Sequence, residues 1–354
     1  MSEAETFQPV DYELLDFGGG RRLERFAEVV VDRPCPTAEG VARHSPARWR
    51  EAAARFERSA PEQQGRWIFA AQLPDPWMIN VGPLRLALRC TPFGQVGLFP
   101  EHARWWRRLP EWLGSSGRFP SSSEAAAAIG PRVLHLFAYT GAGTLAAARC
   151  GAEVAHVDAA KNMLAHARAN AELSGLSAAP IRWIAEDALK FAKRELRRGA
   201  RYDAVILDPP SYGHGPRGEV WRLSKHLPRL LELCAQLTAE NRRLIVLTCH
   251  TPGYGADRLA EMLSAATAAG PPGKVESESL ALAAADGRSL PCGAMAVWRA
   301  SDPPRGPTSH SISVATATET ACSQTPRAAP HEPILSAEES HRALAEDGMR
   351  PVGR

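Results

Sequence analysis

An apolar run, AVIL, leads directly into Asp208-Pro209-Pro210-Ser211-Tyr212. Two consecutive prolines stiffen a loop, so an acid and a phenol ring on either side of them are held toward one crevice. A fixed carboxylate of that kind can orient or protonate a heterocyclic base, and an aromatic ring beside it can stack on a base taken out of its helix. Upstream, VLHLFAYT precedes Gly141-Ala142-Gly143, and helix-forming residues follow. Glycines after a strand let backbone come close to a ligand where free helix amides point outward. GAGTLA matches the dinucleotide fingerprint, so a nicotinamide cofactor is one reading. Asp158 ends EVAHVD at about the spacing where such folds bring an acid to ribose hydroxyls; capping the next helix is the alternative. Glu186 and Asp187, in AED, can accept from an adenine amino group, and again a cap explains them equally. Cys249, followed by His250, closes LIVLTC. A thiolate there could add to carbon 6 of a pyrimidine, whereas a plain apolar strand would simply bury it.

These residues need a scaffold that gathers them. From residue 131 apolar strands alternate with helices: RVLHLFAY, EVAHVD, IRWIAED, YDAVILDPP and RLIVLTC each precede a helical pattern, and KVESESLALAA with PCGAMAVWRA closes the series as a hairpin. The alternation predicts an α/β fold, a doubly wound, mostly parallel seven-stranded sheet. Such sheets bind ligands beyond the carboxyl ends of their strands, where all of these residues fall.

Before it, YELLDF and RRLERFAEVVVD flank three glycines as a hairpin, PARWREAAARFERS carries helix formers, and EHARWWRRLPEWL reads as one helix. We expect a smaller N-terminal α+β domain over 1–117, a candidate for substrate binding, the sheet over 118–300 after the linker GSSGRFPSSSEAAAA, and a disordered tail over 301–354.

The chain has 354 residues, a net charge of +3 and 44% hydrophobic residues. That charge is too small to demonstrate a polyanionic partner by itself. Local clusters do exist. Arg104, Arg107 and Arg108 interleave with Trp105 and Trp106, and ALKFAKRELRRGAR carries Lys190, Lys193, Arg194, Arg197 and Arg198. Cations beside aromatic platforms suit RNA, and a solvated helix face over inward tryptophans is the plainer reading. Seven scattered cysteines without a C-x-x-C pair argue against disulfides and structural zinc, and no metal is expected. The acidic start and the lack of a long apolar run lead us to expect a cytoplasmic protein with no membrane contact.

The run from VLHLFAYTG through VDAAKNMLAHARAN and EDAL to ILDPPSYG resembles the class I S-adenosylmethionine-dependent methyltransferases, specifically those related to the enzymes that methylate cytosine or guanine in large-subunit ribosomal RNA. The resemblance implies S-adenosylmethionine as cofactor and RNA as substrate. It adds Phe137, Tyr139, Thr140, Lys161, Pro209 and Pro210 to Gly141, Gly143, Asp158, Glu186, Asp187 and Asp208 as cofactor contacts. TPFGQVGLFPEHARWW resembles the segment that precedes the catalytic domain in that group, bringing in Phe99, Glu101 and His102. Catalysis would rest on Asp208 and Tyr212, with Cys249 if the acceptor is pyrimidine carbon 5 and without it if the acceptor is a ring nitrogen. His135 stands where Asn is usual, a departure at a cofactor contact. A nicotinamide-dependent dehydrogenase and a non-catalytic RNA-binding or assembly factor remain as alternatives.

Overall fold

The structure, a computed structural model, describes residues 11–58, 65–114 and 130–301. The expected linker beyond Gly114 and the expected tail beyond Ser301 lie outside them. Near the N-terminus, β1 (Tyr12–Gly18), β2 (Arg21–Phe26) and β3 (Val29–Pro34) form an antiparallel meander. The anticipated hairpin therefore gains a third strand, because RRLERFAEVVVD reverses at Ala27, whose N–H bonds Asp11 O at 2.6 Å.

The helix formers of 46–59 give only a 3-10 turn, Pro46–Glu51, and then β4 (Ala54–Arg58). There Ala54 and Phe56 are wholly buried and alternate with Arg55 and Glu57, so strand periodicity with a paired neighbour overrides helix propensity. β5 (Gly65–Phe69) completes a five-stranded sheet, and β6 (Trp77–Val81) with β7 (Leu84–Leu88) makes a separate hairpin.

The helix expected after Pro100 is broken into a 3-10 turn, α1 (Ala103–Trp106) and α2 (Leu109–Trp112). Pro110 lacks the N–H that would continue the first helix and sits instead in the first turn of the second.

The central sheet contains β8 (Arg132–Leu136), β9 (Glu153–Asp158), β10 (Ile181–Ala185), β11 (Ala204–Leu207), β14 (Leu244–Cys249), β15 (Gly273–Ala283) and β16 (Ser289–Ala300), in the order β10-β9-β8-β11-β14-β16-β15. The first five are parallel and the closing hairpin is antiparallel. All residues of β11 and β14 are buried, as strands covered on both faces require. The covering helices are α3 (Ala142–Arg149), α4 (Lys161–Leu173), α5 (Ala188–Arg197), α6 (Leu223–Leu237) and α7 (Ala256–Thr267). A short hairpin, β12 (Tyr212–His214) with β13 (Val220–Arg222), extends the Asp208 loop ahead of α6.

One apolar core runs from Phe26 and Val31 through Trp77, Leu86 and Trp106 to Val133, Ile206 and Val246. The N-terminal region is thus buttressed on the central sheet, and the order reversal between β8 and β11 opens a crevice at the carboxyl ends of the strands. No helix among the described residues is long and apolar enough to cross a membrane.

Candidate active site

That crevice is a cavity of about 470 Å³, inside the usual range of small-molecule sites. Phe99, Phe137, Tyr139, Asp158, Glu186, Asp187, Asp208, Pro209 and Pro210 all line it. A smaller pocket of about 40 Å³ shares Phe99, Phe137, Tyr139 and Asp208 and adds His102, Thr140, His135 and Gly143.

The loop after β8 presents its side chains at a conformational cost. Phe137 and Tyr139 have φ of 55° and 50°, a region costly for residues with a Cβ. Asp158 holds the loop by accepting from Tyr139 N at 2.8 Å through Oδ2 and from Ala160 N at 2.9 Å through Oδ1. It does not cap α4, whose N-cap is Ala160. Burial raises its carboxyl despite those two bonds. Asp187, by contrast, does cap α5, accepting from Lys190 N at 2.8 Å, while Glu186 is buried and ion-paired to Arg194.

Other candidates have structural duties. Gly141 has φ of 89°, as its turn demands, and a Cβ on Gly143 would come within 2.9 Å of both His135 and Trp105. Their smallness thus lets the chain turn and the side chains beneath pack closely. Thr140 donates to Gly97 O at 2.6 Å, Lys161 lies exposed at the start of α4, and neither Lys161 nor Gly141 lines either pocket. His135 and His156 both contact the Thr144 hydroxyl, at 2.7 and 2.8 Å, and burial lowers His135 to about 3, so it is neutral.

A polar cluster forms where three segments distant in sequence meet. His102 Nε2 lies 3.1 Å from His250 Nε2 and 3.8 Å from Asp208 Oδ2, and His250 Nε2 lies 3.5 Å from Asp208 Oδ1. Thr248 donates to Asp208 at 2.7 Å. Burial would raise the Asp208 carboxyl, but the two imidazoles and this hydroxyl outweigh it and hold it well below the usual carboxylate range. Burial opposes charge on His250; Asp208 and the buried Glu101 overcome that and raise it to about 9, whereas His102 is pushed down by its own burial. His250 was legible only as the neighbour of Cys249, and its partnership with His102 had no local signal.

Cys249 itself is fully buried in the apolar layer beneath, lines neither pocket, and has its thiol raised by burial. Tyr212 is 46% exposed, on the hairpin that continues the cavity rim. Trp105 and Trp106 turn inward, and Arg104 and Arg108 pair with Glu278 and Glu276, which is the plainer of the two readings, a solvated face over packed tryptophans, and not an aromatic platform at the surface. Lys190, Lys193 and Arg197 line a second cavity of about 500 Å³ beside the first.

A doubly wound sheet of this strand order, with an acid at the end of the second strand beside the switch point, has the architecture of a domain that binds a nucleoside-containing ligand. The family model for S-adenosylmethionine-dependent methyltransferases matches residues 116–270. A solved S-adenosylmethionine-dependent methyltransferase from Agrobacterium tumefaciens is 35% identical, over 83% of this chain and 92% of that one, with a TM-score of 0.73. The chain belongs to the S-adenosylmethionine-dependent methyltransferases, and the dehydrogenase reading falls away. Among curated relatives, ribosomal RNA large subunit methyltransferase I of Aeromonas hydrophila is 32% identical over 34% of this chain and 30% of its own length. Ribosomal RNA large subunit methyltransferase K/L of Chromohalobacter salexigens is 30% identical over 47% of this chain and 21% of its own length. The chain thus spans a third or less of either.

Proposed function

We propose that this methyltransferase modifies a base in RNA, with a nitrogen rather than pyrimidine carbon 5 as acceptor, and that Asp158, Glu186 and Asp187 hold the nucleoside part of S-adenosylmethionine. The observation that carries the acceptor assignment is the burial of Cys249 beneath the cavity floor, while Asp208 and the proline pair border the cavity itself. A thiolate that must reach a ring carbon needs both ionisation and access, and burial opposes each. The names of the curated relatives support ribosomal RNA as the substrate class, and the basic side chains of α5 beside the cavity suit a phosphate backbone. Such a substrate places the protein with ribosomes in the cytoplasm.

When bound, S-adenosylmethionine supplies an electrophilic methyl group on a sulfonium sulfur. The chain does the rest. Asp158, with both oxygens tied to backbone, offers its remaining lone pairs to ribose hydroxyls, and Glu186 or Asp187 can accept from the adenine amino group. Asp208 accepts the N–H of the acceptor base, turning the nitrogen lone pair toward the methyl group, and its negative charge stabilises the positive charge that grows on the nitrogen as the carbon–nitrogen bond forms, the acidified N–H proton then leaving to water. Pro209 and Pro210 keep that carboxylate still, and Tyr212 can stack on the base.

Asp158→Ala is expected to weaken S-adenosylhomocysteine binding by about 1.5–3 kcal/mol, roughly ten- to a hundredfold by calorimetry. Asp158→Asn keeps an acceptor of the same shape and should recover stability more than affinity. Unchanged affinity in the alanine variant would reduce Asp158 to a loop anchor.

Cys249→Ser tests the acceptor. Methyl incorporation into ribosomal RNA should stay within a few-fold of the unaltered protein, and nucleoside mass spectrometry of ribosomal RNA from a deletion strain should show the loss of an N-methylated base. Loss of a 5-methylpyrimidine together with an inactive serine variant would restore the thiolate mechanism.

A further inference from the structure

We propose that His102, His250 and Asp208 form a binding site for one first-row divalent transition-metal ion at the mouth of the cofactor cavity. The three side chains come from the turn before α1, the end of β14 and the end of β11, and one donor atom from each lies within 4.8 Å of the others. Bonds of about 2.0–2.2 Å from a tetrahedral ion to nitrogen and oxygen set neighbouring donors roughly 3.3–3.6 Å apart. The two Nε2 atoms are 3.1 Å apart, and the carboxylate approaches them through different oxygens, Oδ2 at 3.8 Å from His102 and Oδ1 at 3.5 Å from His250, so a rotation of the carboxylate that brings one oxygen between the imidazoles completes the set.

The surroundings point the same way. His250 Nδ1 lies 2.6 Å from the carbonyl of Cys292, which can only accept, so the proton sits on Nδ1 and the lone pair of the neutral ring is on Nε2, facing the cluster. Fixing a ligand imidazole by a second hydrogen bond to a carbonyl is what metal-binding histidines ordinarily show, and a ligating carboxylate is likewise steadied, here by Thr248. Charge balance supplies an independent reason. Asp208 and Glu101 bring two negative charges, and among the described residues neither forms an ion pair with lysine or arginine. Arg22, which shares Glu24 with Arg33, is within electrostatic range of Glu101 and offsets part of its charge without touching it. Glu101 Oε2 is buried without a hydrogen-bond partner. Without a metal, a proton shared between His250 and His102 faces the Asp208 charge; a divalent ion would take the place of that proton between the two Nε2 atoms and bring one more positive charge to the cluster. Two imidazoles and a carboxylate favour zinc, iron, cobalt or manganese over magnesium or calcium. Positions left open on the ion would face the cavity, where an oxygen or nitrogen of the acceptor can bind; that last step rests on the acceptor reading above, and the site itself does not.

The test uses untagged full-length protein freed of metal by chelator, with cobalt(II) as the probe and no RNA present. Titration should produce visible d–d absorption saturating at one cobalt per chain, and zinc should bleach it. His102→Ala and His250→Ala should each weaken cobalt binding at least tenfold, while circular dichroism and a single cooperative thermal transition report that both variants fold. No absorption from the unaltered protein under excess cobalt would overturn the proposal and leave a shared proton as the only occupant. Absorption unchanged in both variants would overturn it as well, by placing the ion elsewhere.

Discussion

Asp208→Ala is expected to slow methyl transfer by roughly 10²–10³-fold, the usual cost of removing a group that acts on charge developing in the transition state. The carboxylate does three things that alanine cannot. It borders the cavity on a loop stiffened by Pro209 and Pro210, it accepts from Thr248 at 2.7 Å, and it faces both His102 and His250. Since the acids proposed to hold the nucleoside, Asp158, Glu186 and Asp187, lie on β9 and after β10, S-adenosylhomocysteine affinity should change by far less than the rate. Asp208→Asn keeps the shape and the Thr248 bond, so it should preserve stability and still lose most of the rate, because the negative charge is what the proposed acceptor nitrogen and the two imidazoles feel. Single-turnover kinetics beside calorimetry separate the two effects. A fall in rate that merely follows a fall in affinity would make Asp208 a cofactor ligand and nothing more.

Much of this site was legible because its parts are local. An apolar strand ending in Asp-Pro-Pro-Ser-Tyr needs no tertiary information to be read as a rigid acidic loop, and strand-helix alternation places its carboxyl end at a ligand crevice. Asp158 and the closing hairpin follow from the same periodicity. What escaped notice depends on contacts between distant segments. Gly143 looked like a place for ligand approach; the ring atoms 2.9 Å from its would-be Cβ belong to His135 and Trp105, and the latter comes from a segment far upstream. Positive φ at Phe137 and Tyr139 is invisible in residue type, because neither residue favours it and only Asp158 and the surrounding core enforce it. Helix formers at 46–59 mislead for the same reason: β4 exists because β3 and β5 pair with it. The meeting of His102, Asp208 and His250 is the extreme case, three single residues with no shared motif.

The largest effect on stability is expected at Glu24, in the N-terminal sheet, which is tied through Arg33 to the loop that leads into the cavity wall. Its side chain is completely buried and accepts from Tyr12 Oη at 3.0 Å and from Arg33 Nε at 2.8 Å, with Arg33 Nη2 at 2.7 Å and Arg22 Nε at 3.2 Å. A buried ion pair adds little over well-packed apolar groups, but deleting one partner leaves the other charge stranded, at a cost of about 3–5 kcal/mol. Glu24→Ala strands Arg33, itself 3% exposed, and also loosens Arg22. Arg33 has a second task, since its Nη1 donates to Gly94 O at 3.2 Å, fixing the loop that leads to Gln95 and Phe99 in the cavity. Denaturant unfolding of Glu24→Ala should therefore show the loss in stability, and S-adenosylhomocysteine affinity, measured where the variant is still folded, should fall with it. Adding Arg33→Leu removes the stranded charge and should return part of the stability without restoring the tie to Gly94, so affinity should stay low. If Glu24→Ala costs less than about 1 kcal/mol, the order of an exposed pair, water reaches this cluster and the wall of the site is held by its apolar core alone.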